Sequence, residues 1–436
     1  MTLTSQTRVA FVHVGPAYDA SMKPTNVLIV DGPHRIGLAV ARSLRLGGSY
    51  TIHLVGHQKG WSDSVFRAFK SNAVDSIHFM RIDSADDSFL YRLRRLIEDK
   101  KIDFLIPAGH DGTLHVAFLK KTLERLCTVL APDYETILPL HDKRETMCLA
   151  KRIGIPHPIT VVPQSDAEAE KYAGICKYPA VVKARKGTEA DGVWYARNSR
   201  ELMQAYRRAE AQSAACDRFS RDTSFPMIQE YIPGELHDVA IFCLKGDMKA
   251  CLTQQRVLTK PLSGGKGIVN ATTCNLQLMD QARKLVEHLG WDGVLLCDFK
   301  IDSRDGTPKL LEVNPRFWGT TWLTTCAGLN FPHNLVLAAK GEPLRLPSRY
   351  PVGLKGRWLV YELGMLFEAP VSPGIILQRL KGFFSRFKAE NTIYDTLWSD
   401  LKPLAADLIT RSVWTWQGLG HRRGTADDAR KPGISM

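Results

Sequence analysis

Apolar runs at 26–31, 51–55, 103–107 and 127–131 alternate with amphipathic stretches at 86–99 and 112–126. The first run, Asn26 to Asp31, ends in Gly32-Pro33, and Ile36, Leu38, Ala39, Val40 and Leu44 follow at helical spacing. That pattern is a strand, a turn and a helix. Repeated to residue 140, it predicts a parallel sheet wrapped by helices, an α/β Rossmann-like domain over 25–140 behind a flexible segment 1–24. The turn from Gly32 to Gly37 lacks the middle glycine of a dinucleotide fingerprint, and no acidic residue follows the second strand at Val55, which argues against NAD.

From His141 the pattern changes. A helix is expected over 142–153, then a break at Gly154-Ile155-Pro156-His157-Pro158, a strand through Ala180-Val181-Val182-Lys183 and a loop from Ala184 to Gly192. Long strands at 226–232, 236–245, 248–257 and 292–313, with a helix at 276–289, predict an antiparallel α+β layer, and this second domain is drawn over 141–345. Residues 346–436 read as a helical, aromatic and basic extension with a disordered end. Its segment 374–388 interleaves apolar and basic residues. The ordinary reading is a helix packed on the core, and the other is peripheral contact with an anionic membrane.

Composition narrows the class. The chain has 436 residues, 44% of them hydrophobic, enough for several packed domains. No apolar run reaches about 18 residues, and the N-terminus has no basic start with an apolar stretch and cleavage signal, so a cytoplasmic protein is expected. Nine cysteines without a C-x-x-C spacing fit buried thiols, and packing is the expected role of Cys297 and Cys326. The net charge of +13 suits anionic ligands, and no nucleic-acid motif accompanies it, so no nucleic-acid partner is expected.

The chemistry concentrates in Leu311-Glu312-Val313-Asn314-Pro315-Arg316. Glu312 and Asn314, two apart on a strand, share a face, and Asp298 joins them if 292–301 and 308–314 pair through the turn-rich Asp302 to Thr307. Three hard oxygen donors suit Mg2+, or Mn2+, completed by water and nucleotide phosphate. Arg316 stands close enough to hold a phosphate or substrate oxygen. Phe317 and Trp318 are expected to pack. His110 and Asp111 follow the strand at 103–107, where they either touch substrate or complete a turn.

The order of these motifs resembles the ATP-grasp superfamily, of the carboxylate-amine ligase type, over residues 26–340. Asp142-Lys143 with the Gly154 to Pro158 break resembles the opening of the central domain, with Lys143 on nucleotide phosphate. Tyr178 to Lys183 resembles the strand bearing the second phosphate lysine, Lys183, and Ala184 to Gly192 the loop over the triphosphate. Gln229-Glu230-Tyr231-Ile232-Pro233-Gly234 resembles the adenine linker. There Glu230, the backbone of Tyr231 and Ile232, and Glu235 or His237 would hold adenine and ribose. Arg256, ahead of the basic loop Ser263-Gly264-Gly265-Lys266-Gly267, matches a residue that binds the acyl phosphate or γ-phosphate, and Asp298, Glu312 and Asn314 match the metal ligands. The resemblance implies a pre-ATP-grasp domain followed by an ATP-grasp fold. It implies ATP and Mg2+ as ligands, a carboxylate and an amine as substrates, Lys183, Arg256 and Arg316 in catalysis, and a homodimer. Two other readings stand beside it: a non-catalytic ATP-binding sensor or scaffold, and a carboxylase or carbamoyl-phosphate enzyme of the same fold.

Overall fold

The computed structural model describes residues 23–32, 34–58, 60–83, 86–186, 192–215, 225–260, 264–366, 372–387, 391–395 and 399–410. Several expectations fall outside this set: the N-terminal segment to residue 22, most of the loop after Lys186, Ser263, and the chain beyond 410.

Along the chain come β1 (Thr25–Val30), α1 (Arg35–Gly47), β2 (Tyr50–His57), α2 (Trp61–Ala68), β3 (Ser76–Met80), α3 (Asp87–Lys100), β4 (Phe104–Pro107), α4 (His110–Leu123) and β5 (Thr128–Val129). Their strands form one parallel sheet in the order β3-β2-β1-β4-β5. β1 is its centre, with Val27 to Val30 fully buried, which is why that run reads as continuously apolar. The turn after β1 is tight: a Cβ on Gly37 would stand 2.2 Å from the Gly32 carbonyl oxygen, so only glycine lets the helix start so close to the strand.

Next come α5 (Tyr134–His141), α6 (Lys143–Arg152), β6 (Thr160–Val161), α7 (Asp166–Ala173), β7 (Ala180–Lys183), β8 (Val193–Ala196), α8 (Ser199–Ala215) and β9 (Met227–Glu230). β10 (Gly234–Leu244), β11 (Asp247–Lys260), β12 (Lys266–Thr273), α9 (Leu276–Leu289), β13 (Gly293–Asp302) and β14 (Pro308–Asn314) follow. Lys266 and Gly267, expected in a loop, are the first residues of β12. Two antiparallel sheets result, a four-stranded one in the order β6-β9-β7-β8 and a run β14-β13-β10-β11-β12. The first buries Ala180, Val182 and Ile228 against Ala169 and Ala173 of α7 and Leu202, Tyr206 and Ala209 of α8. The second buries Val239, Ile241, Leu295, Cys297 and Phe299 against Leu278, Ala282, Leu285 and Val286 of α9, together with α5 and α6. Cys297 is thus a packing residue, as expected. α9 is closed at both ends, Asn275 accepting from the Leu278 amide and Gly290 adopting the left-handed conformation.

After these come α10 (Thr321–Cys326), α11 (Phe331–Lys340), β15 (Lys355–Arg357), α12 (Leu359–Leu366), α13 (Pro373–Phe387) and β16 (Thr392–Tyr394), with β15 and β16 parallel partners. Among the described residues the chain forms two compact units, one of 23–108, 121–130 and 319–410, the other of 109–120 and 131–318. Among the described residues, 319–410 therefore go with the first sheet, where sequence alone placed 319–345 with the second domain. Buried ties account for it: Arg42 of α1 donates to Asp400 at 2.9 Å, Ser43 bonds Thr325 at 2.7 Å, and Tyr50 bonds His333 at 2.7 Å. In α13, Phe383 is buried and Arg379 donates to the Met365 carbonyl at 3.1 Å, while Leu377 and Phe384 are exposed. No helix among the described residues is long and apolar enough to cross a membrane.

Candidate functional site

Strand alternation sorts the larger sheet of the second unit into two faces. Val239, Cys297 and Val313 face the helices, so Asp238, Asp298 and Glu312 face the other way. Register puts these three side by side: Asp238 opposes Asp298 on β13, and Asp298 opposes Glu312 on β14. A shift in register between Asp298 and Phe299 leaves Leu310 in the core while re-aiming Glu312 to the polar face, a common use of a bulge beside a functional site. The row continues through Gln254, which donates to Asp238 Oδ2 at 2.8 Å.

Three carboxylates in a row repel one another and need cations. Arg256 supplies one: its Nη2 lies 2.5 Å from Asp298 Oδ2 and 2.6 Å from Asp238 Oδ1, its Nε donates to Asp238 Oδ2 at 3.1 Å, and its Nη1 donates to the Gly265 carbonyl at 2.9 Å. Lys143 supplies another, its Nζ 3.4 Å from Glu312 Oε1. Lys143 is set by α6, whose N-cap Asp142 is held by Arg185 through both carboxylate oxygens, while the Lys143 amide donates to the Arg185 carbonyl at 3.0 Å. Lys183 closes β7 on the face away from α7 and α8. Burial pulls its ammonium down to about 8, opposed by Glu312 and Asp298 and reinforced by Lys143, so these groups share one electrostatic neighbourhood. Asp298 is pushed up to about 7, first by burial and against the pull of Arg256, with Asp238 and Glu312 adding to the rise.

Asn314 accepts from Arg316 Nη2 at 2.9 Å, and Arg316 Nη1 donates to the Phe317 carbonyl at 2.9 Å. Phe317 and Trp318 are buried, as expected of packing residues. Beside them a cleft is lined by Glu312, Asn314, Arg316, His110, Thr113 and His141, over an apolar floor that includes Ile137 and Leu140. The rings of His110 and His141 lie 4.8 Å apart at 33°, and burial holds His110 well below the ordinary histidine range.

The expected adenine linker is more dispersed. Ile232 is buried, and Tyr231 lies under Lys300 Nζ at 4.7 Å and edge-on to Tyr195. The Glu230 carboxylate is engaged by Arg304 at 2.6 Å. Glu235 is 68% exposed, with a carboxylate oxygen 3.6 Å from Nε2 of the buried His237, which alternates to the face opposite Asp238.

Asp298, Glu312 and Asn314 are thus brought together, and they fit a small hard cation in part. Asp298 Oδ1 is buried without a hydrogen-bond partner, and burial among carboxylates is the stress a cation relieves. Among the described residues no three His, Cys, Asp or Glu side chains form a ready cage, so water or ligand oxygens must complete the shell, as Mg2+ favours. Asp238 and His141 escaped the sequence reading. Asp238 is one acid ahead of an apolar strand, and its importance appears only once β10 and β13 are in register.

Comparison with known proteins bears on the fold and on one segment of the chain. A family model described as "ATP-grasp in the biosynthetic pathway with Ter operon" matches residues 223–359, which carry Glu230, Arg256, Asp298, Glu312, Asn314 and Arg316. The mitochondrial propionyl-CoA carboxylase alpha chain of Mus musculus is 26% identical over 240 residues, 52% of this chain and 32% of that one. The N-terminal section of the carbamoyl phosphate synthase large chain of Methanopyrus kandleri is 25% identical over 276 residues, 60% of this chain and 45% of that one. This chain therefore spans less than half the length of these two curated relatives. Among solved structures, the biotin carboxylase domain dimer of Hydrogenobacter thermophilus 2-oxoglutarate carboxylase, in complex with MgADP, ADP and bicarbonate, superposes with a TM-score of 0.60 at 17% identity, covering 77% of this chain and 74% of that one. Residues 223–359 thus match an ATP-grasp family model, and the fold is that of the ATP-grasp biotin carboxylase domains.

Proposed function

We propose that this protein is an ATP-dependent ligase that activates a carboxylate as an acyl phosphate and lets an amine displace the phosphate, releasing ADP and phosphate. The observation that carries the reading is the convergence of Asp298, Glu312, Lys143, Lys183 and Arg256 on one sheet face, with Arg316 and the histidine-lined cleft beside it. Phosphoryl transfer asks mainly for positioning and neutralisation of charge, which this set supplies without a side-chain nucleophile.

In this reading Lys143 and Lys183 hold the phosphate chain, and Arg256 and Arg316 stabilise charge on the transferring group. Glu230, Tyr231 and Ile232 hold the nucleoside, and Glu235 and His237, on the face opposite Asp238, stand outside this role. Asp298, Glu312 and Asn314 would hold Mg2+, which supplies charge neutralisation between phosphate oxygens when bound. The cleft beside Arg316 takes the carboxylate and the attacking amine, and its apolar floor helps keep water from the acyl phosphate.

A second reading takes bicarbonate as the carboxylate. The names of the relatives favour it, a carboxylase chain and a carbamoyl phosphate synthase, together with the bicarbonate in the carboxylase-domain complex. ADP release from Mg-ATP, measured against pools of amino acids, dipeptides and small carboxylates with and without bicarbonate, tests both. Release that needs a carboxylate and an amine supports the ligase. Release that needs bicarbonate alone moves the assignment to carboxylation, and ATP binding without turnover in any pool counts against both.

A further inference from the structure

We propose that Arg256 is a built-in counter-ion that occupies Asp298 until a divalent cation displaces it, and that Asp238 is the anchor that keeps the guanidinium at hand. The inference deepens the ligase reading and rests on its cation site.

The two carboxylates held by Arg256 are not equivalent. Asp238 is 2% exposed, its Oδ2 accepts from both Arg256 Nε and Gln254, and Arg256 Nη2 stands 2.6 Å from its Oδ1, which makes no hydrogen bond. Asp298 meets Arg256 through Oδ2 alone, and its Oδ1 is buried without a hydrogen-bond partner. If Nη2 leaves Asp298, Arg256 still has Asp238 and the Gly265 carbonyl, whereas release from Asp238 would strand a buried charge. The link to Asp298 is therefore the one that yields.

A cation arriving at Asp298 and Glu312 competes with Nη2 for the same carboxylate. The freed fork is then available to an anion near Gly264 and Gly265, the segment whose carbonyl it already touches. Cation binding and phosphate binding become coupled through one side chain that prefers a different partner in each state. The cation alone is held weakly, because it must first displace Nη2 from Asp298 Oδ2, so the site is assembled only when nucleotide phosphate is present to receive the arginine.

Binding of Mn2+ to the full chain without nucleotide, followed by the paramagnetic resonance of free Mn2+, reads this directly. Two variants preserve net charge. Arg256→Lys leaves an ammonium that reaches one carboxylate and stays with the buried Asp238, and the double variant Asp238→Asn with Arg256→Gln removes the pair entirely. Both free Asp298, so both are expected to bind Mn2+ about fivefold or more tightly than wild type. A purely long-range field predicts no change, and a dissociation constant equal to or above that of wild type in the double variant overturns the proposal. Glu312→Gln added to Arg256→Lys separates the two readings. If it leaves Mn2+ binding unaltered, the cation is not at this site and the ligase reading itself fails. If it abolishes binding while Arg256→Lys alone gains nothing, only the counter-ion is refuted.

Discussion

Lys143 Nζ stands 3.4 Å from Glu312 Oε1, which joins the first turn of α6 to the end of β14 at the centre of the polar face. α6 is capped by Asp142, and β14 pairs with β13 on both sides of the bulge at Leu311. Glu312→Gln keeps the shape and removes the charge. ATP turnover is expected to fall by roughly a hundredfold or more, as for loss of a group that holds a metal. An unchanged circular dichroism spectrum and melting temperature should accompany that loss, and near-normal ADP release would remove Glu312 from the site.

In the proposed reading, Lys183 gives the nucleotide affinity a pH limb. Its ammonium titrates at about 8 because burial disfavours the charge, although Glu312 and Asp298 favour it. Below that value the charged form holds phosphate, and as pH rises through about 8 the charge is lost, so ATP affinity should fall on the alkaline side. Arg stays protonated throughout this range, so Lys183→Arg should flatten the limb even where it weakens binding overall. Fluorescence titration with ATP at pH 7, 8 and 9 measures it, and an alkaline limb that persists unchanged in the variant assigns the effect elsewhere.

The Asp142 and Arg185 pair is structural as well as positional. Both side chains are buried, and Arg185 meets both Asp142 oxygens. Arg185→Met leaves a buried carboxylate without its partner, which costs about 3 kcal/mol or more. The melting temperature should drop by several degrees, and because Lys143 is tied to the Arg185 carbonyl, ATP affinity should weaken as well. A variant as stable as wild type would show that water replaces the guanidinium.

Gly234 opens β10 directly after the linker residues Tyr231 and Ile232. Its φ is +122°, and a Cβ there would stand 1.9 Å from the Ile301 carbonyl oxygen. Gly234→Ala combines strain with a clash against β13 backbone and should destabilise by about 2 kcal/mol or more. The shift would move the linker, so weaker nucleotide binding is expected alongside a lower melting temperature. Equal affinity in the two proteins would separate the linker from the site.

Sequence disclosed what local pattern encodes. The hairpin that sets Asp298 opposite Glu312 was readable because its turn, Asp302 to Thr307, has turn composition and both arms are strand-like. The parallel sheet of the first 140 residues was readable from apolar runs separated by helices, though not its strand order. What stayed hidden depends on partners far apart in the chain. Nothing near Asp238 announces Arg256, and nothing near Arg42 announces Asp400, so neither the clamp nor the return of the C-terminal residues to the first sheet had a local signal. α8 and β12 were missed for another reason, since polar residues such as Asn270 and Thr272, buried in β12, and the many charged residues of α8 mask the hydrophobic period.

Transfer of labelled oxygen tests the central claim most directly. An acyl phosphate forms only if a substrate carboxylate oxygen attacks the γ-phosphorus, so that oxygen leaves in the inorganic phosphate. With Mg-ATP, an amine pool and carboxylates enriched in oxygen-18, the account expects one labelled oxygen per phosphate released, and none from Glu312→Gln. ATP cleavage whose phosphate takes its new oxygen from water, whatever carboxylate is supplied, would contradict it.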